Sequence, residues 1–450
     1  MGTVGLNFGA ASSGQGFDVA STVTQIQASE QAIETPWKNQ LSALQAQDTA
    51  FTSLGTDLST LTTSVQALTD FQGAFAQKQG SSSNTNLLSL TSADATAVAG
   101  SHTIVINSLA QTSSEVTSAI SSASDTLSGS ITIQGQAFNI DSTDNTLSTL
   151  SAAINAADIG VKASVITDAS GSRLSLVSGT SGAAGQLTVT GSLSGASSGT
   201  ITFQVGHTGK DADLTVDGVS VTSPSNTVSN AIPGVTFQLL SSSAGAEVQV
   251  EITNDNTAIG TAVNSFVTAY NAVIKDINSQ EGKDLSGNAQ PLYGNPTLAM
   301  IQSQITGSLF GGAGSGAIGN ITKLGIGMNN DGTLTLNVDT LNSALNSNFS
   351  DVTGFFQNSG SFGQTMATTL NNLGTQAPNG AVYLAQQQNS AQEAALNADI
   401  SNEDALLAAQ KTQLTTELNA ANQILQSIPS QLNQVNEMYS AITGYNTGTR

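Results

Sequence analysis

The stretch FTSLGTDLSTLTTSVQAL, Phe51 to Leu68, is typical of one helix of a coiled coil. Its apolar residues are spaced alternately by three and four positions, which places them in one seam along a helix. These positions are Phe51, Leu54, Leu58, Leu61, Val65 and Leu68. A single amphipathic helix leaves such a stripe in water, so other parts of the chain must supply partner helices.

Two further segments repeat this spacing. The second follows the capping sequence NDNT and carries Ile259, Val263, Phe266, Tyr270, Val273 and Ile277. The third carries Leu407, Lys411, Leu414, Leu418, Ala421, Leu425 and Ile428, and continues beyond Pro429 through Leu432, Val435, Tyr439 and Ile442. Proline lacks the amide donor and clashes with the preceding turn, so we expect a kink or break at Pro429.

We predict that the three segments form a helical bundle. The coiled-coil seam is expected to include Phe51, Leu58, Val65, Phe266, Tyr270, Leu414, Leu418 and Leu425. A shorter helix is predicted after the capping residue Asp18 and before Pro36, and the Gly- and Ser-rich sequence up to about Gly16 is predicted to be disordered.

Apolar residues at both ends of the chain lack enough local partners, because each terminal helix is short or interrupted by proline. We therefore expect them to pack against neighbouring subunits or another protein. The candidate interface residues are Val19, Val23, Ile26, Leu432, Val435, Tyr439 and Ile442.

Between the first two seams the apolar period changes from that of a helix to that of a strand. AGSHTIVINSLAQ (99–111), GSITIQGQAFNI (129–140) and AEVQVEIT (246–253) alternate apolar and polar residues. One helix interrupts the strands at residues 145–160, where Gly160 ends the apolar face. The predicted fold class is α+β multidomain, with a helical or coiled-coil bundle built from the N- and C-terminal segments and with inserted β-rich domains.

The same patterns predict the domain boundaries. They are 1–36 for a flexible N-terminal segment and terminal helix, 37–80 with 257–428 for the helical bundle or stalk, 81–125 with 201–256 for a β-rich domain, 126–200 for an inserted β-α-β domain, and 429–450 for a C-terminal helix.

Composition excludes several classes of partner and compartment. The formal net charge is −21, and the 10 Lys and Arg residues form no run, so we predict no binding to nucleic acid. No apolar run approaches the roughly 20 residues of a membrane helix, so no membrane insertion is expected. Cysteine is absent, which excludes disulfides and thiolate metal sites. The N-terminus has neither the basic nor the apolar region of a cleavable secretory signal.

No constellation of side chains predicts catalysis, a metal or a cofactor. The two histidines, His102 and His207, stand in different segments, and no pair of acids has a distinctive spacing. The sequence DADLTVDG (211–218) lacks a calcium ligand at its fifth position, Thr215, and glycine at its sixth. NNDG (329–332) is predicted to be a hairpin turn. We predict that the protein is not an enzyme and binds no cofactor.

Several short stretches of the sequence, in the same order along the chain, resemble the flagellar hook-associated protein 2 family, the filament cap proteins. They are FDVASTVTQIQASEQAIETPWKNQL (17–41), AGSHTIVINSLAQ (99–111), DADLTVDGVSVTSPSNTVSNAIPGVTFQLL (211–240), FVTAYN (266–271), LYGNPTL (292–298) and LGIGMNNDGTLTLNVDTLNSAL (324–345). The stretch at 146–179 is similar to a module shared with flagellins, so the inserted domain is expected to be flagellin-like.

The resemblance implies a filament cap that is secreted by the flagellar export apparatus and stays at the filament tip. Such a protein forms a ring of about five subunits, promotes folding and insertion of flagellin, and prevents its loss to the medium. The implied partners are the protein itself, flagellin, the hook-filament junction protein and a flagellar export chaperone, and an adhesion role is an additional expectation. The alternatives are another axial protein, flagellin or the hook-filament junction protein, and a secreted calcium-binding adhesin.

Overall fold

The structure is a computed structural model that describes residues 16–143 and 145–444. The chain divides into two compact units, Met1–Gln66 with Val263–Arg450, here the helical unit, and Ala67–Ala262, here the β unit. The disorder predicted before Gly16 lies outside the described residues. The predicted α+β fold class, with helical ends and β-rich insertions, is confirmed.

Helices form both ends of the chain, and most of the strands lie between α2 and α4. The α-helices of the described residues are α1 Val19–Glu30, α2 Thr35–Thr69, α3 Leu147–Ala156, α4 Asn256–Gln280, α5 Pro296–Leu309, α6 Val338–Gln357, α7 Phe362–Leu373 and α8 Ala381–Thr443. The strands are β1 Lys78–Ser82, β2 Leu88–Ala93, β3 Gly100–Ser108, β4 Thr112–Thr117, β5 Leu127–Ile133, β6 Gln136–Asn139, β7 Val161–Asp168, β8 Gly171–Ser181, β9 Val189–Gly195, β10 Gly199–Ile201, β11 Phe203–His207, β12 Ala212–Val216, β13 Val219–Ser223, β14 Thr227–Ile232, β15 Val235–Leu239, β16 Glu247–Asn254, β17 Ile326–Met328 and β18 Leu334–Leu336.

The core of the helical unit is built from the apolar seams. Phe51, Leu54 and Leu58 of α2 are almost fully buried, as are Phe266 and Tyr270 of α4. An aromatic cluster completes this core, in which the rings of Phe355 and Phe362 stack with their centres 4.9 Å apart. Burying a large apolar side chain is worth about 1.5 to 3 kcal/mol, so these seams supply much of the stability of the unit.

The β unit contains two β modules with separate cores. In the first β module one sheet has the strand order β1-β16-β3-β12-β13 and a smaller one the order β14-β15-β2. Every described pairing in them is antiparallel. Inward residues such as Ile104, Leu214 and Val250 alternate with outward polar residues, which explains the period of two in the sequence.

The inserted module follows the same rule with two four-stranded sheets. Their orders are β10-β9-β5-β6 and β11-β4-β8-β7, and α3 packs on β7. Thr146 caps α3 by accepting a hydrogen bond from the backbone of Thr149. Leu147, Leu150 and Ile154 of this helix lie in the module core.

The inserted module is larger than the predicted range 126–200. β4 and β11 lie outside that range but belong to its sheet, since β4 pairs with both β8 and β11. The inward residues of β4 are Ser113, Glu115 and Thr117, all buried. Because they are polar, the apolar alternation that marks the other strands is absent from β4, and the periodicity placed the boundary too late.

Of the kink or break predicted at Pro429, the break is wrong. α8 runs without interruption from Ala381 to Thr443 and contains this proline. A proline removes one backbone donor and disturbs the preceding turn, but the turns on either side keep their own hydrogen bonds. Residues 381–443 therefore form one helix, and the predicted division between 428 and 429 does not correspond to a boundary.

Candidate assembly surface

The first helix of the chain packs antiparallel on the last. The Oδ1 of Asn422 accepts a hydrogen bond of 2.9 Å from the backbone nitrogen of Phe17. Nearly three helical turns further along, the side chain of Gln27 donates a hydrogen bond of 2.8 Å to the carbonyl of Leu407. As the residue number rises along α1 it falls along α8, so the two helices form an antiparallel pair.

This pairing changes the interpretation of the predicted N-terminal interface residues. Val19 and Val23 are 8% and 2% exposed, and Ile26 is half-buried in a groove of about 230 Å³ between α1 and α8. The expectation that this stripe lacks a partner within the chain is therefore wrong. α8, whose contacting residues lie 380 to 405 positions away in sequence, supplies it.

The C-terminal part of α8 differs, because its apolar residues are open to solvent. The exposed fractions are 47% for Leu432, 55% for Val435, 53% for Tyr439 and 83% for Ile442. Their spacing of three and four places them on one side of the helix. We call these four residues the α8 stripe.

Sequence reasoning missed other exposed apolar residues of the same helix, among them Met438 and Ile424. Met438 is 60% exposed and Ile424 is 65% exposed. Met438 lies three positions after Val435 and four before Ile442, so helical spacing alone could have identified it. By contrast, the predicted seam residues Leu414, Leu418 and Leu425 of α8 are only half-buried. Their exposure is intermediate between that of the buried seams of α2 and α4 and that of the α8 stripe.

The junction between α1 and α2 is held by a buried carboxylate. A 3-10 turn, Gln31–Glu34, joins the two helices. Glu34 is fully buried, and one of its oxygens accepts a hydrogen bond of 2.5 Å from Lys38, while Oε1 has no partner among the described residues. Trp37 is half-buried near this junction.

Two carboxyls lie close to one another beside the seam of α2 and α4. Burial raises the pKa of Asp57. Burial and the nearby charge of Asp57 raise the pKa of Asp276, whose Oδ2 has no hydrogen-bond partner among the described residues. Burial also raises the pKa of Tyr270, to about 12. Burial disfavours the charged form of each of these groups. In the described part of the chain, no cluster of acidic or histidine side chains that could hold a metal accompanies them.

The two histidines and the acidic turn at 329–332 take part in ordinary structure. The Nδ1 of His102 lies 2.8 Å from Asp217, and this hydrogen bond is the main cause that lowers the pKa of Asp217. His207 is exposed on β11. The predicted hairpin turn at NNDG is confirmed, since it joins β17 to β18. Among the described helices, none has the length and apolarity needed to span a bilayer.

Comparison with known families matches both ends of the chain. The model described as flagellar hook-associated protein 2 N-terminus matches residues 15–113, and the model described as flagellar hook-associated protein 2 C-terminus matches residues 209–433. The matched ranges include α1, most of the first β module and α8 as far as Asn433. The range between them, 114–208, coincides closely with the inserted module.

Individual relatives agree with the family models. The chain is 28% identical over 354 residues to the B-type flagellar hook-associated protein 2 of Pseudomonas aeruginosa, which covers 71% of this chain and 74% of the relative. It is 28% identical over 368 residues to flagellar hook-associated protein 2 of Escherichia coli K12, covering 75% and 78%. The solved D1-D2-D3 domains of the flagellar cap protein FliD from Escherichia coli align with a TM-score of 0.56 at 27% identity, over 76% of this chain and 99% of that one.

Proposed function

Because this chain belongs to the flagellar hook-associated protein 2 family, we propose that it caps the distal end of the flagellar filament. Its place is the filament tip, outside the cell. There it promotes the folding and insertion of flagellin subunits and prevents their loss to the medium. The family consists of structural cap proteins rather than known enzymes, and no catalytic step is proposed for this chain.

The exposed α8 stripe is the observation that best supports the proposed contact with the filament. Apolar side chains that lie together on a surface commonly mark a contact with another protein. The stripe begins within the matched C-terminal range, on the same helix that holds α1, and its residues are about half exposed or more. We therefore assign the stripe to contact with the filament end, with burial of each side chain contributing about 1.5 to 3 kcal/mol.

Self-association follows from the same role. A cap must end a helical filament without propagating it, and a heterologous interface that closes on itself gives a ring. On this argument we propose a closed ring, for which the family resemblance implies about five subunits, with flagellin, the hook-filament junction protein and an export chaperone as further partners. An adhesion role stays a prediction. The family match favours the cap over flagellin, the junction protein and a calcium-binding adhesin.

A truncation tests the proposed function. Deleting residues 430–450 removes the α8 stripe but leaves the buried seams of α2 and α4 and the contacts of α1 with Asn422 and Leu407. Cells that make only this variant should synthesise and export flagellin normally, release it unpolymerised into the medium and lose swimming. Full-length filaments on cells that export the truncated chain would contradict the proposed role of the stripe.

A further inference from the structure

The junction between α1 and α2 places an apolar residue in water and an acidic residue in the interior. Ile33 is 56% exposed, whereas the next residue, Glu34, is fully buried. Both belong to the 3-10 turn Gln31–Glu34. Burial stabilises an apolar side chain and destabilises a charge, so each of the two residues occupies the environment that suits the other. The junction is therefore locally frustrated.

The charge of Glu34 is only partly compensated in its buried position. One carboxylate oxygen accepts the hydrogen bond from Lys38, and Oε1 has no partner among the described residues. The hydrogen bond to Glu34 is the main cause that raises the pKa of Lys38, and the charge of Asp404 on α8 adds to it, so two carboxylates share one ammonium. Desolvation of a buried carboxylate with an unpaired oxygen is not fully offset by one ion pair.

The apolar spacing of the sequence continues through this junction without a shift. Alternate steps of three and four lead from α1 into the seam of α2, with Glu30, Gln40 and Gln47 as polar exceptions. In this repeat Ile33 occupies a seam position and Glu34 the position beside it. The repeat is typical of one continuous α-helix in which Ile33 is buried and Glu34 contacts water. Its apolar positions before Phe51 are Val19, Val23, Ile26, Ile33, Trp37 and Leu44.

The 3-10 turn interrupts this repeat by a rotation about the helix axis. A 3-10 helix turns by about 120° per residue and an α-helix by about 100°, so four residues in the 3-10 form rotate α1 relative to α2 by about 80°. That rotation is close to the angle of about 100° between successive residues such as Ile33 and Glu34. The backbone is α-helical on both sides of the turn, at Glu30 and at Thr35, so the rotation arises within the turn itself.

Pro36 does not by itself impose the turn. It lacks an amide hydrogen and crowds the carbonyl of Ala32, and the amide of Thr35 closes the 3-10 turn by donating to that carbonyl. However, α8 contains Pro429 and remains one helix across it, so a proline is compatible with a continuous helix in this fold. Burial of Val19 and Val23 against α8 is the interaction that holds the junction in its 3-10 form.

A continuous helix and the contact with α8 exclude each other. If the turn becomes α-helical, α1 rotates by about 80° about its axis, and its apolar residues no longer face α8. Rotation in either sense brings small or polar residues to that side. They are Ala20, Thr24 and Gln27 for one sense of rotation and Thr22, Gln25 and Ser29 for the other. Such a face provides little apolar burial, so α1 leaves α8 when the turn changes form.

We propose that residues 31–34 are a two-state switch that controls the docking of α1 on α8. In the docked state, which this structure shows, the turn is 3-10 and Glu34 is buried. In the second state α1 and α2 form one α-helix, Ile33 joins the seam of α2, Glu34 contacts water and α1 is released. The buried charge of Glu34 favours release, and Lys38 favours docking because it compensates that charge. The switch is a property of the single chain and does not depend on the cap function.

Two substitutions with opposite expected effects test the switch in the full chain. Glu34→Gln removes the buried charge and keeps the shape, so hydrogen exchange of residues 19–30 should be about tenfold slower, whereas Lys38→Met leaves that charge uncompensated and should make it about tenfold faster. Asn39→Met, at an exposed position of the same helix, is the matched control and should leave exchange unchanged. Faster exchange in both variants would show that the ion pair stabilises docking, and that result, or no change in either, would overturn the proposal.

Ile33 provides a second test, because it is exposed in the docked state and buried in the second state. Ile33→Ser removes apolar burial mainly from the second state, so exchange of residues 19–30 should be about three- to fivefold slower. The double variant Glu34→Gln, Lys38→Met should exchange within about twofold of Glu34→Gln alone, because Lys38 then has no buried charge to compensate. Faster exchange in Ile33→Ser, or in the double variant relative to Glu34→Gln, would contradict the switch.

A distance measurement identifies release directly, since the chain has no cysteine of its own. Thr24→Cys on α1 and Thr412→Cys on α8 are exposed and lie at a similar level of the antiparallel pair, so they can carry two spin labels. The population at long distances should rise about threefold or more in Lys38→Met and fall by a similar factor in Glu34→Gln. Melting curves like that of the parent show that the bundle stays folded. One short distance in every variant would overturn the proposal.

Discussion

At the scale of single residues, the bundle contains carboxyl groups whose ionised form is destabilised by burial. Asp57 of α2 and Asp276 of α4 both have a raised pKa because burial penalises their ionised forms, and the charge of Asp57 adds to the effect on Asp276. The folded state therefore holds protons that the unfolded chain releases as the pH rises through the ordinary aspartate value of 3.8. The stability contributed by the protonated carboxyls is present below that value and is lost as the pH rises above it.

Asp276→Asn should stabilise the protein at pH 7. The amide removes a repelled, desolvated charge and keeps the capacity to bond to Gln280. We expect a gain of roughly 0.5 to 1 kcal/mol, a modest value because partial exposure screens the charge. Urea denaturation at pH 7 and near pH 4 measures it, and the gain should shrink at the lower pH.

Asp284→Asn is the control variant, for which we expect a change in stability opposite to that of Asp276→Asn. Backbone and side-chain hydrogen bonds from Asn288 lower the pKa of Asp284, so its charged form stabilises the fold. This variant should lose stability at pH 7, and the loss should disappear as the pH falls through the lowered pKa. A loss of stability at pH 7 in Asp276→Asn as well would show that the fold does not destabilise the ionised form of Asp276.

At the scale of single elements, α1 depends on α8 for its order. A helix of 12 residues is marginal in water by itself, since isolated helices shorter than about 12 to 15 residues gain too little from their own hydrogen bonds. Its cap, the side chain of Asp18, fixes only one end by accepting from the backbone of Ser21 at 3.1 Å. Burial of Val19 and Val23 on α8 supplies the remaining stability.

Val23→Ala should release α1 without unfolding the bundle. The substitution removes about 1 to 2 kcal/mol of apolar burial, which corresponds to roughly a tenfold rise in the exchange rate of the α1 amides when exchange follows local opening. Hydrogen exchange of residues 19–30, compared with that of α2, measures this. The exposed Gln25→Ala is the matched control and should leave α1 protected. Unchanged protection in Val23→Ala would show that the contact with α8 does not hold the helix.

Helical and strand periodicity predicted α1, α2, α3, α4, α8 and several strands, but it did not predict α5, α6 or α7, and the differences have specific causes. The seams of α2 and α4 were predictable because their apolar residues repeat over many turns and are buried. The break at Pro429 was wrongly predicted because a local rule was applied to a helix of 63 residues, whose neighbouring turns compensate one missing donor. β4 was assigned to the wrong module because Ser113, Glu115 and Thr117 face its core.

The candidate surface was only partly predictable from sequence. Spacing correctly placed the α8 stripe on one side of a helix, but it gave Val19 and Val23 the same role, and these are buried. Local periodicity does not reveal that residues 17 and 422 meet, because that contact depends on tertiary packing.

At the scale of the whole molecule, the cap function requires an assembly that stops growing. Each chain that offers two complementary surfaces adds one neighbour on each side, and the series ends only if the rotation between subunits closes it. Light scattering over a micromolar concentration range should therefore rise to a plateau mass of several subunits. Growth without a plateau would indicate an open filament and favour flagellin-like behaviour, and a monomer at every concentration would contradict a ring.

The α8 stripe provides the most direct test of the account. Leu432→Ser with Val435→Ser removes apolar burial of about 1.5 to 3 kcal/mol per side chain and leaves the charge unchanged. The matched control, Asn433→Ser with Asn436→Ser, changes two exposed polar residues of the same helix at the same spacing.

The measurement is the amount of unpolymerised flagellin in the medium of cells that make only one of these variants. The account predicts that the Leu432, Val435 variant is exported, releases flagellin and does not swim, while the control builds normal filaments. Normal filaments with both variants would contradict the claim that this stripe holds the cap on the filament.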